Sequence, residues 1–255
     1  DLVYSGNKSS DFNDAKKIFI ERIVDSLKIS TNDFIICPGN HDIDRRTRLE
    51  SLENFFSDKI KENSHLDRFI QEKNKDYENS LEGSSNYFSF VKDFYTDDSI
   101  INEFYSIHKR VINEENIGIV SINSAWRSLG DDSQNRLLFP IMFLEEALTK
   151  ISDCTCKLIL LHHPLFWFKD FNYIKLQEII HKEFDMIFSG HVHESQVSTH
   201  YKFNNGIFAH VAPASMTYDK NYIGYSLPKY NPKLKEQVVI TNSKYINEFG
   251  RFIED

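Results

Sequence analysis

Histidine and asparagine residues cluster in three short segments of the chain. These are Gly39-Asn40-His41-Asp42, His162-His163-Pro164 and Gly190-His191-Val192-His193. Imidazole, amide and carboxylate groups are suitable ligands for Zn, Mn and Fe in proteins. One residue separates the last two histidines, so on an extended loop both side chains point to the same side and can serve two neighbouring metal ions. The residue types therefore predict a metal centre.

Each segment alone also has a structural explanation, since His-x-His pairs are common at surfaces and Asp42 could cap a helix. The elements before the segments strengthen the functional interpretation. Short apolar runs at residues 34–37, 157–161 and 184–188 predict buried strands that end just before them. Because sites in α/β proteins assemble at the carboxyl ends of strands, the three segments are expected to meet at one site.

The rest of the chain predicts an α/β layered fold with central mixed β-sheets flanked by helices. An apolar stripe that starts at Phe12 and Ala15 and continues through Phe19 to Leu27 predicts a helix capped by Asp11. Further helices are predicted at residues 49–60, 100–110, 143–151 and 176–180, and further strands at 117–122, 206–211, 222–227 and 237–241. The last strands have no helices between them, which predicts an antiparallel or mixed second half. The polar and aromatic residues 49–115 predict a helical insertion that caps the site.

Composition limits the classes of partner. The net charge of −8 argues against a broad basic face for nucleic acid, although bound cations can attract phosphates locally. No stretch approaches the roughly 20 apolar residues of a membrane span, so no membrane partner is expected. The three cysteines, Cys37, Cys154 and Cys156, are too few and odd in number for a disulfide framework, which predicts a reducing, cytoplasmic compartment.

In order and spacing, the three segments resemble the calcineurin-like metallophosphoesterase superfamily. The motifs of that family run Asp-x-His, Gly-Asp, Gly-Asn-His-Asp or Glu, a His, and Gly-His-x-His, and the last three match literally here. Ile122-Asn123-Ser124 is also similar to a strand end common in bacterial members. The resemblance implies the layered fold, two divalent metal ions (Mn, Fe or Zn) and hydrolysis of phosphoesters by a metal-activated water.

Carried over position by position, the resemblance also implies residue roles. It makes His41 the imidazole that contacts the phosphate and protonates the leaving group, and Asp42 the carboxylate that orients His41. It assigns metal ligation to four residues, namely Asn40, His162 and His191 at the second metal and His193 at the first.

The bridging carboxylate of the family's Gly-Asp motif has two candidates, Asp1 and Asn7. Asp1 is preferred because Leu2-Val3, Gly6 and a helix after them match the residues that come after Gly-Asp in the family, whereas an Asn bridge lacks the charge to hold two cations. No Asp-x-His precedes Asp1. We therefore expect an N-terminally truncated single domain over residues 1–255, with that motif upstream in the natural protein and weak binding of the first metal without it.

The substrate is less well defined by the sequence. Arg45 could reach a substrate phosphate or be a solvated charge, and His163 could bind substrate or pack against the backbone. The leading prediction is a phosphodiesterase acting on nucleotides or on DNA or RNA. The alternatives are a phosphomonoesterase, including a protein Ser/Thr phosphatase, and a non-catalytic binding or scaffolding module with a degenerate site. Further domains and the oligomeric state stay open.

Overall fold

A seven-stranded mixed sheet lies at the centre of the fold, with strand order β1-β2-β3-β4-β5-β7-β6. The structure is a computed structural model that describes residues 1–96, 98–130, 133–192, 196–202, 205–212, 223–231, 238–246 and 251–254. The sheet comprises β1 (Ile100–Ile101), β2 (Tyr105–Ile112), β3 (Glu115–Ile122), β4 (Cys156–Leu161), β5 (Met186–Ser189), β6 (Gln196–Lys202) and β7 (Asn205–Val211). A separate antiparallel sheet contains β8 (Gly224–Tyr230), β9 (Val238–Ile246) and β10 (Arg251–Glu254).

The four inner strands β3, β4, β5 and β7 run parallel, and the outer strands are antiparallel to their neighbours. The helix α7 (Ile141–Lys150) lies between β3 and β4, and α8 (Asp170–Glu183) lies between β4 and β5. This is the β-α-β connection that parallel pairing requires. Buried Val120, Ile159 and Leu144 belong to the main core between these layers. The predicted mixed α/β fold is confirmed, as is an antiparallel or mixed second half.

The first helical segment differs from its predicted apolar stripe. It comprises α1 (Ser9–Ala15), a π-helical turn (Lys16–Ile20) and α2 (Glu21–Leu27). The π turn adds a residue to one turn and rotates the helix after it. Ile20 and Val24 are therefore buried, while Phe19 and Leu27 are 46% and 64% exposed. Asp11 lies in the first turn instead of capping the helix.

Residues 34–37 are not a strand, contrary to the prediction. Both polar backbone groups of Ile36 bond to side chains instead of to a neighbouring strand. The amide of Ile36 donates to the Tyr95 hydroxyl at 2.8 Å, and its carbonyl accepts from the Ser121 hydroxyl at 3.0 Å. Because side chains satisfy these groups, the apolar run is fixed without a sheet ladder.

The predicted helix at residues 100–110 is also wrong, because this region forms β1 and β2. Tyr105 and Ile107 are buried, and β2 pairs with β3 along its whole length. The turn between them consists of Asn113 and Glu114, which have φ values of 51° and 69°. Positive φ at both positions is typical of a tight hairpin turn. The pairing of β2 with β3 therefore takes the place of the predicted helix.

Four helices occupy most of the polar segment between residues 50 and 94. They are α3 (Glu50–Asp58), α4 (Asn63–Glu72), α5 (Lys75–Leu81) and α6 (Ser85–Phe94). Glu53 of α3 contacts buried Arg127 at 2.5 Å, and Lys169 donates to the carbonyl of Phe56 at 2.7 Å. These contacts attach α3 to the segments that follow β3 and β4. Across the parts of the chain described here, no helix has the length and apolar character needed to cross a membrane.

Candidate metal centre

The loops after β4 and β5 bring His162 and His191 together. The two strands are parallel neighbours, with Leu160 beside Phe188, so their carboxyl ends lie at the same edge of the sheet. The amide of Gly190 donates to the carbonyl of His162 at 2.9 Å and ties the two loops. Adjacent strand ends thus hold the two imidazoles side by side.

Three polar atoms converge on Nε2 of His162. They are Oδ1 of Asn40 at 2.9 Å, Nδ1 of His191 at 3.1 Å and Oδ2 of Asp1 at 3.5 Å. Asn40 is fully buried and His162 nearly so. One imidazole nitrogen carries at most one proton, which cannot serve an amide oxygen, a carboxylate oxygen and a second imidazole at once. An amide oxygen, a carboxylate and imidazoles at one point are a donor set that fits a divalent transition-metal ion.

Asp1 reaches this cluster because Gly39 leaves room for it. A Cβ atom at Gly39 would lie 2.1 Å from Oδ1 of Asp1, so only glycine permits this approach. The same Oδ1 accepts a hydrogen bond from the backbone amide of His41 at 2.9 Å. The carboxylate thus joins the first residue of the chain to the Asn40-His41 turn.

The carboxylate of Asp42, to which the resemblance assigned the orientation of His41, binds backbone amides. Its fully buried carboxylate accepts from the amides of Leu2 at 2.7 Å, Val3 at 2.9 Å and Gly39 at 2.8 Å. The ring of His41 is held instead by the backbone, because its Nδ1 lies 2.8 Å from the carbonyl of Tyr4. Asp42 therefore fixes the chain segment that carries Asp1 and Tyr4.

His41 lies beside an exposed aromatic ring. Tyr4 is 84% exposed, and its ring centroid is 5.6 Å from that of His41. No sequence motif indicates Tyr4, because its position beside His41 depends on the contact between two residues that are 37 positions apart.

His163 belongs to the same cluster. One imidazole nitrogen from each of His162, His163 and His191 lies within 4.8 Å of the others. His163 is fully buried, and its Nδ1 lies 3.1 Å from Oγ of Ser124. Trp167 packs edge-on against His191 with ring centroids 4.3 Å apart. In the sequence, Ser124 stands out only as part of the Ile122-Asn123-Ser124 strand end.

Burial changes the protonation of these imidazoles. It lowers the pKa of His162 and of His163 well below the ordinary value of 6.5, with neighbouring imidazoles acting in the same direction. Both rings are therefore neutral at neutral pH, the form in which histidine binds metals. His191 has a φ of 69°, a left-handed conformation that is uncommon outside glycine and occurs at functional sites.

Two other predicted residues are less informative. Arg45 is exposed, with its guanidinium against Gly130. His193, predicted as a ligand of the first metal, lies outside the described residues.

Comparison with known proteins agrees with this geometry. The family model for calcineurin-like phosphoesterases matches residues 1–195, and the chain belongs to that family of metal-dependent phosphoester hydrolases. The chain is 22% identical over 237 residues to YydB, a metallophosphoesterase-like protein of Bacillus subtilis (strain 168). The match covers 90% of this chain but 46% of YydB, so the chain spans about half the length of that relative.

Proposed function

We propose that the chain hydrolyses phosphodiesters at a centre for two divalent metal ions, with Mn²⁺ as the leading candidate and Fe or Zn as alternatives. The proposed ligands are Asp1, Asn40, His162, His191 and His193. The observation that carries the proposal is the convergence of Asn40 Oδ1, His191 Nδ1 and Asp1 Oδ2 on Nε2 of His162. When bound, divalent metal ions would supply Lewis-acid polarisation of the phosphoester and a water of lowered pKa.

His41 is the proposed acid for the leaving group. Its Nδ1 faces a carbonyl oxygen, which only accepts, so Nδ1 carries a proton that it donates to Tyr4. The second ring nitrogen is then the one that exchanges a proton with substrate. A protonated His41 can donate from Nε2 to the leaving oxygen as the bond to phosphorus breaks.

Among phosphodiesters, the exposed ring of Tyr4 favours those with a nucleoside leaving group. The leaving group of a substrate that His41 protonates must lie near His41, and Tyr4 is the aromatic side chain beside it. A nucleoside leaving group could stack there, as bases do on aromatic side chains. The proposed substrates are accordingly nucleotides or the ends of DNA or RNA chains, and the proposed compartment is the cytoplasm. Arg45 is the proposed additional contact with a substrate phosphate.

We also propose that residues 1–255 form one domain and that residues 49–115 cap the site. The contacts of Glu53 with Arg127 and of Lys169 with Phe56 support this role, because they attach α3 to loops that continue from the site. A cap in this position would favour small substrates over long nucleic acid.

The test measures turnover of two chromogenic esters by the full-length protein with Mn²⁺. We expect bis-p-nitrophenyl phosphate to be cleaved faster than p-nitrophenyl phosphate, and His41→Ala to lower kcat by roughly 10² to 10⁴ for a dinucleotide, whose alkoxide leaving group needs a proton. His65→Ala is the matched control, because His65 pairs with Glu62 on the surface and should not affect turnover. A preference for the monoester would move the proposal to a phosphatase. Metal binding without turnover of either ester would favour the binding module.

A further inference from the structure

The hydroxyl of Ser124 is at the centre of a buried hydrogen-bond network beside the metal centre. Ser124 follows β3 and is fully buried. The backbone amides of His162 and His163 both donate to its Oγ at 3.1 Å. Nδ1 of His163 lies 3.1 Å from the same oxygen.

These three contacts determine which nitrogen of His163 carries the proton. A serine oxygen has two lone pairs, and the two backbone amides use both. The remaining bond to Nδ1 must therefore be made with the hydroxyl proton, so Ser124 donates and Nδ1 accepts. Nδ1 has no proton, the ring is neutral, and its proton is on Nε2.

The proton on Nε2 gives His163 a different role from its neighbours. An imidazole nitrogen that carries a proton cannot bind a metal ion, because its lone pair is not available. Nε2 is buried and makes no hydrogen bond to any described residue. An imidazole nitrogen of His163 lies within 4.8 Å of one from His162 and one from His191, so the ring is next to two of the proposed metal ligands.

We infer that His163 binds substrate as a neutral hydrogen-bond donor, giving its Nε2–H to a phosphoester oxygen, and that Ser124 is the positioning residue that fixes this tautomer. A buried donor without a partner among the described residues costs free energy, and an oxyanion that arrives with the substrate would satisfy it. The inference rests on the proposed function for the identity of the oxyanion. The tautomer itself does not depend on that function.

The first experiment measures the tautomer by ¹⁵N–¹H correlation of the histidine rings in the metal-free chain, with the His163 signals assigned by their loss in His163→Gln. We expect a protonated Nε2 and an unprotonated Nδ1, and a loss of this fixed pattern in Ser124→Ala. Ser121→Ala is the matched control, because it removes a buried hydroxyl that bonds the carbonyl of Ile36 instead of a histidine, and it should leave the pattern unchanged. A proton on Nδ1 in the unmodified chain would overturn the inference.

The second experiment separates substrate binding from metal binding in the full-length protein. We expect His163→Leu to retain its Mn²⁺ affinity, measured by calorimetry, and to lose roughly 100-fold in kcat/KM for the diester. His163→Gln should recover part of the loss, because its amide can donate from a similar position. A large loss of Mn²⁺ affinity in both variants would make His163 a metal ligand and overturn the inference. If the unmodified protein turns over no phosphoester, the proposed function fails, while the ring signals still decide the tautomer.

Discussion

Replacing Asp42 with Asn tests how the first residues of the chain are held against the metal centre. The carboxylate has one oxygen bonded to the amides of Leu2 and Val3 and the other bonded to the amide of Gly39. In Asp42→Asn, the carbonyl oxygen can keep the first two bonds. The new amide group would then point its own hydrogens at the Gly39 amide, 2.8 Å from the replaced oxygen.

The change in the bonds of this carboxylate should lower the free energy of unfolding. Losing one charge-assisted hydrogen bond costs about 1.5–3 kcal/mol, and leaving the buried Gly39 donor unsatisfied costs about 1–3 kcal/mol, with partial overlap between the two. We expect a decrease of roughly 3 kcal/mol in the free energy of unfolding. In a domain of this size that corresponds to a decrease in Tm of roughly 6–12 °C.

Thermal and urea unfolding of the metal-free protein measure this change. Asp153→Asn is the matched control, because its carboxylate pairs with Lys109 on the surface and should leave Tm unchanged. If Asp42→Asn unfolded at the same temperature as the unmodified protein, the hydrogen bonds of the Asp42 carboxylate would not stabilise the fold as we expect.

Three further predictions concern the packing and charge around the site. Gly39→Ala should weaken Mn²⁺ binding in calorimetry, because its Cβ would lie 2.1 Å from Oδ1 of Asp1; unchanged affinity would argue against Asp1 as a ligand. Arg127→Met should lower the free energy of unfolding in urea by roughly 3 kcal/mol, because the Glu53 carboxylate loses its partner at 2.5 Å. Adding Glu53→Gln should restore part of this stability. Full stability of the single variant Arg127→Met would contradict the prediction. Since burial lowers the pKa of His162 and His163 below 6.5, the unfolded chain binds more protons, and stability should decrease as pH falls below about 6.5. The decrease between pH 7 and 5.5 should be smaller in His162→Gln/His163→Gln, and equal slopes would contradict the assignment.

The alternating strands and helices from β3 to β5 could be predicted because the sequence patterns that indicate them are local. The apolar runs of β3, β4 and β5 end in polar or glycine residues, and helical periodicity marks α7 and α8 between them. The same signals explain why His162 and His191 could be expected at one edge of the sheet. The structure places their ring nitrogens 3.1 Å apart.

The failures arise where distant contacts override the local pattern. Residues 34–37 have the composition of a strand, but the side chains of Tyr95 and Ser121 occupy their backbone groups. The π turn in the first helix shifts its buried face by one residue, which no composition rule indicates. Ser124 was overlooked as a positioning residue, since its bonds join segments that are 38 and 39 residues apart.

Anomalous diffraction from crystals soaked in Mn²⁺, measured on both sides of the manganese edge, would locate the metal centre. We expect a manganese peak bounded by Asp1, Asn40, His162 and His191, and no manganese bonded to Nε2 of His163. A manganese peak away from these side chains, or none at a concentration that supports diester cleavage, would contradict the proposed metal centre.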